Sequence, residues 1–132
     1  MVTKKIFKSF ILTQFALYTA LILFFIIEEI LYPFNEDISF TWVGGVSLII
    51  LFSHFISLVL LYKFKATGKK IFVTSFILLF IIILFQDEYY FFVNYTSLTP
   101  IITIVDYLLS VNGGIILSIL YFTSIKKNLN YN

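Results

Sequence analysis

Four long stretches of this chain are almost free of charge, and few folds can accommodate that. Residues Phe10 to Ile27, Trp42 to Tyr62, Ile71 to Phe85 and Pro100 to Ile125 are apolar runs whose single formal charge is Asp106. A helix needs roughly 20 residues, at about 1.5 Å each, to cross about 30 Å of hydrocarbon, and each run reaches or approaches that length. Lipid offers the backbone no hydrogen bonds, so only helices and closed barrels cross it. A barrel strand alternates apolar and polar residues, whereas Ile77 to Phe85 is apolar throughout. The expected fold is therefore an all-α integral membrane protein. Its four transmembrane helices form two antiparallel hairpins in a single domain, 1–132, with spans near 9–31, 41–63, 70–92 and 99–125.

Composition supports lipid as the solvent. Hydrophobic residues make up 61% of the chain and charged ones 12%, against about half and a quarter in a soluble domain. A water-soluble chain this short would expose apolar patches well beyond a few hundred Å². Lys4, Lys5 and Lys8 ahead of the first run imitate the start of a secretory signal. The run is longer than a signal core, however, and ends in Glu28-Glu29 without a small-residue cleavage site, so a retained span is expected.

Charge then orients the spans. Every Lys lies in one of three segments, 4–8, 63–70 and 126–127, that alternate with the runs so as to share one side. Lysine is retained in the cytoplasm, so both termini are expected there, with a bacterial inner (plasma) membrane as the expected location. The acids Glu28, Glu29, Glu36, Asp37, Asp87 and Glu88 gather at the opposite ends. Aromatic residues flank both sides: Tyr32, Phe34, Phe40 and Trp42 with Tyr89 to Phe92 on one, and Tyr62, Phe64, Tyr121 and Phe122 on the other. Such belts form where amphipathic rings sit among headgroups.

Chemistry is harder to find. The chain has no Cys and a single His, and it contains no HExxH, phosphate loop or GxSxG. No catalytic residue, metal site or cofactor is expected. The short Lys clusters are explained by topology and anionic lipid, so nucleic acid is not an expected partner.

Three groups of residues are candidates for function. His54 falls near the middle of the second run, beside Ser53 and Ser57, and Asp106 and Asn112 lie within the fourth. An ionisable group inside a membrane suggests a proton relay or ion ligand, against the simpler reading that it fixes helix packing. Asn112-Gly113-Gly114 could interrupt the fourth helix and free carbonyls for an ion, although glycine pairs also serve packing. Ser110, Gly114 and Ser118 form a small-xxx-small seam for close helix approach. Glu28, Glu29, Asp87 and Glu88 form an outer acidic cluster, either a cation-attracting vestibule or simply the side from which lysine is excluded.

Along the first run, Ser9, Thr13, Ala16 and Ala20 form one polar or small stripe, with Gln14 and Tyr18 beside it as an interior face. The third run offers only Thr74 and Ser75, so it is expected to be the most lipid-exposed, with the second and fourth helices facing each other through His54 and the Asp106 stripe. Glu28-Glu29 and Asp87-Glu88 close the first helix of each hairpin, a weak internal repeat.

The expected partners are the bilayer and a second membrane protein or another copy of the chain. The leading expectation is a non-catalytic accessory, assembly or immunity-type subunit that works by helix contacts. The alternative is a homo-oligomeric cation channel or small transporter that uses the outer acids with His54 and Asp106.

Overall fold

The computed structural model describes residues 3–31, 42–85, 99–123, 125 and 129. Among them the protein is all α, with α1 Lys4–Leu31, α2 Trp42–Tyr62, α3 Ala66–Phe85 and α4 Thr99–Phe122 and no strand. Among the described residues two stretches, Lys4–Phe24 and Pro100–Phe122, are long and apolar enough to cross a membrane. Helix α1 begins five residues before the expected span: the Thr3 hydroxyl accepts from the Ile6 amide at 3.3 Å and caps the first turn, so the lysines at 4, 5 and 8 join the helix. Helix α3 likewise takes in Ala66 to Lys69.

The α2–α3 turn is only 63–65, and its closure can be followed bond by bond. Phe64 has φ 57°, a left-handed conformation that usually belongs to glycine at this position after a helix. Its amide donates to Leu61 O at 2.9 Å and the Lys65 amide donates to Leu60 O at 2.8 Å. That pair of bonds is a Schellman closure, which satisfies the last carbonyls of α2. The Phe64 ring packs on Phe7, with centroids 5.9 Å apart. Gly68 then brings α3 close: a Cβ there would lie 2.7 Å from Leu60 Cβ and 2.8 Å from Leu61 N.

Adjacent helices run antiparallel around a ring of four. Helix α2 pairs closely with α3 and α1 with α4, while α1–α2 and α3–α4 complete the ring with lighter packing. Large rings bridge the α1–α2 gap: Phe15 and Tyr18 meet Phe55 at centroid distances of 5.8 and 5.4 Å. The core is built from Phe7, Ile11, Leu58, Leu61, Phe72, Ile116 and Leu120, with Ile125 and Leu129 folding back onto it. The start of α1, the α2–α3 turn and the end of α4 therefore share one end of the bundle.

Lysine and aromatic residues meet at that end. Lys8 Nζ lies 4.3 Å from the Tyr62 centroid and Lys69 Nζ 3.9 Å from that of Tyr121. Lys69 also donates to Leu120 O at 3.4 Å, where helix carbonyls run out of amide partners.

Two packing expectations are corrected. Helix α2 lies along α3, not face to face with α4, because the three-residue turn and Gly68 hold α2 and α3 together. On α1 Gln14 and Tyr18 are buried as expected, together with Phe7 and Ile11, but the stripe of Ser9, Thr13 and Ala16 is exposed.

Candidate functional site

The interior of the bundle is its polar part. Gln14, His54 and Ser57 have no exposed surface, and Ser75 and Asn112 are almost as deeply buried. Each helix contributes, and the hydrogen bonds join α1 to α4 and α2 to α3.

On the α1–α4 side two amides form a closed set. Asn112 Nδ2 donates to Gln14 Oε1 at 2.6 Å and to Phe10 O at 2.9 Å, and Gln14 Nε2 donates to Leu109 O at 3.3 Å. Asn112 therefore pins α4 to α1. Helix α4 runs unbroken through Asn112-Gly113-Gly114, which disfavours the alternative of an interrupted helix with freed carbonyls. Gly113 is covered by α3, whose Phe76 ring lies directly against it.

On the α2–α3 side, His54 Nδ1 and Ser75 Oγ are 2.9 Å apart. Ser75 Oγ already donates to Phe72 O at 3.1 Å. A hydroxyl has one proton, so its oxygen accepts from Nδ1–H and the acceptor nitrogen of the neutral ring is Nε2. That Nε2 is buried and has no hydrogen-bond partner among the described residues. Rings wall it in: Phe72 at 4.8 Å, Tyr18 at 5.2 Å edge-on and Phe76 at 6.3 Å, centroid to centroid. Ser57 donates to His54 O at 2.6 Å and fixes the local backbone.

His54 and Asp106 do not meet. His54 faces the interior, whereas Asp106 is on the exposed side of α4. The ring packed edge-on against His54 on the α1 side is that of Tyr18. The buried face of α4 is Ile102, Val105, Leu109, Asn112, Ile116 and Ile119. The opposite face carries Asp106, Ser110, Gly114 and Ser118 at a spacing of four, with both serines exposed. A Cβ added at Gly114 would meet nothing within 4 Å. The small-residue seam is thus open to the outside and plays no part in packing the bundle.

The outer acids remain apart from this picture. Glu28 and Glu29 fall in the last turn of α1, and Asp87 and Glu88 lie outside the described residues. Among the described residues no three His, Cys, Asp or Glu side chains come together as a metal site would require.

Sequence reasoning picked out His54, Asn112, Gln14 and Tyr18 but missed the role of Ser75, the rings of Phe72 and Phe76, and the need for Gly68. A signal for two of these was present. In an antiparallel hairpin, facing positions share one centre, and His54 with Ser75 and Leu61 with Gly68 are both centred between Phe64 and Lys65, inside the turn.

No protein-family model, curated protein or solved structure matches the chain.

Proposed function

We propose that this is a small integral membrane protein whose four helices all cross the bilayer, with both termini cytoplasmic in a bacterial inner membrane, and that it acts without catalysis. Its work is lateral helix contact, as an accessory, assembly or immunity-type subunit of a larger membrane system. The membrane part is supported by an inverted distribution of residues. Amides, an imidazole and hydroxyls occupy the interior, while Ile49, Phe52, Ile104 and Val111 project outward, the reverse of what water favours. The orientation is supported by the lysine-rich end of the bundle.

The observation that carries the contact reading is the outward stripe Asp106, Ser110, Gly114, Ser118. Asp106 lies five residues, or about 7 Å, from the midpoint of the Pro100–Phe122 stretch. A carboxylate facing lipid near the bilayer centre costs about 3 kcal/mol on insertion scales, so it is retained where something covers it. Small residues one turn apart let a second helix approach closely enough to do so.

Gly114→Leu tests this directly. Because the position is open, the protomer keeps its fold, while the partner helix is displaced. The expected result is loss of in-membrane crosslinking and co-purification with unchanged circular dichroism. Partner recovery equal to that of the native chain refutes the reading. Orientation is tested with Lys63→Cys, the only thiol such a chain would contain. A membrane-impermeant maleimide added to intact cells leaves it unlabelled, and rapid labelling overturns the assignment.

A further inference from the structure

A groove of about 290 Å³ runs along the outside of the α2–α3 pair, lined by Ile50 and Ser53 from α2 and by Lys70, Ile71, Thr74, Ser75 and Leu78 from α3. Its two ends differ in chemistry. Lys70 lies at the lysine-rich end of the bundle, whereas Ile50 and Leu78 form an apolar end about 12 Å farther along α3. Lys70 and Thr74 are one turn apart and both exposed, so their side chains stand on one face about 5–6 Å apart at Cβ.

Lys69 is occupied by Leu120 O and the Tyr121 ring. Lys70 and Thr74, by contrast, have no side-chain hydrogen bond or ion pair among the described residues. The groove thus offers an ammonium and a hydroxyl donor at one end and a hydrocarbon wall at the other. A ligand complementary to it is anionic at its head, carries an acceptor one turn deeper, and ends in an alkyl chain.

We propose that this groove binds one anionic glycerophospholipid. Its phosphate accepts from Lys70, an ester carbonyl accepts from Thr74, and one acyl chain lies along Ile71, Leu78 and Ile50. Basic pockets between helices on the cytoplasmic side suit anionic headgroups, because the surrounding dielectric strengthens the charge pairing and the chain is already anchored in lipid. Choline lipids carry the same phosphate next to a cation and lose most of that attraction. The inference rests on the membrane reading but not on the α4 contact face, which lies elsewhere on the bundle.

The test is native mass spectrometry of the full chain purified in detergent, titrated with phosphatidylglycerol, phosphatidylcholine or inorganic phosphate, alongside flotation of the protein with vesicles. Phosphatidylglycerol is expected to stay bound where phosphatidylcholine does not. Lys70→Gln weakens its binding about fivefold, the effect of one lysine at an anionic surface, while Lys63→Gln leaves it unchanged. Leu78→Trp, which fills the apolar end, weakens it as well. Equal retention of the two lipids, equal binding by Lys70→Gln, or displacement by inorganic phosphate at matched concentration overturns the proposal. Protein that floats with vesicles but shows no preference refutes the lipid site alone. Protein that does not float refutes the membrane reading and the lipid site with it.

Discussion

Two glycines, Gly68 and Gly114, allow a matched comparison, because the same substitution meets a backbone wall at one and open space at the other. At Gly68 a new methyl carbon would lie 2.7 Å from Leu60 Cβ and 2.8 Å from Leu61 N. Non-bonded carbons settle near 3.5–4.0 Å, so α3 must withdraw from α2 by about 1 Å. The 63–65 turn leaves little slack for that movement, since both of its closing bonds end on Leu60 and Leu61. Overpacking of this kind destabilises by about 1–3 kcal/mol.

Replacing glycine by alanine inside a helix also gains about 0.5–1 kcal/mol, a term the two sites share approximately. Gly114→Ala is therefore expected to stabilise the protomer slightly, and Gly68→Ala to fall below it by about 1–3 kcal/mol. Unfolding by sodium dodecyl sulfate in mixed micelles, followed by circular dichroism, reads this difference as a shift in midpoint. If Gly68→Ala resists the detergent as well as Gly114→Ala does, the close α2–α3 approach is wrong.

Two further predictions concern the interior. Gln14→Leu and Asn112→Leu each strand a buried amide group and are expected to cost about 1–2 kcal/mol, while the double variant costs clearly less than their sum; additive losses in the same unfolding assay would show that the two side chains do not interact. Nitrogen-15 shifts of the imidazole should report the Nδ1-protonated tautomer of His54, and Ser75→Ala should change them while destabilising the fold by about 1 kcal/mol; a spectrum of the Nε2-protonated form would refute the assigned bond direction.

The number of helices was legible in the sequence because it follows from long apolar runs and strict charge segregation, which survive any rearrangement of neighbours. The pairing of helices was not. Helices α2 and α3 are apolar nearly all round, so their patterns do not say which face turns inward. Asp106 misled for a related reason: in water a stripe of polar and small residues marks an exterior face, whereas in lipid it suggests an interior one. Here that stripe faces outward, and Asn112, three positions from the apolar contact residue Leu109, makes the bond to α1. Phe64 was legible as a belt residue but not as the closure of α2, because a left-handed residue after a helix is sought among glycines and asparagines.

The bond between Gln14 and Asn112 also has a meaning in time. The two side chains are 98 residues apart, which at ribosomal rates of about 5–20 residues per second is roughly 5–20 s of synthesis. Throughout that interval α2 and α3 can close on each other through their short turn, while the first helix waits for the last. Until the last helix is made, the Gln14 amide on the flank of α1 that α4 covers is without its Asn112 partner.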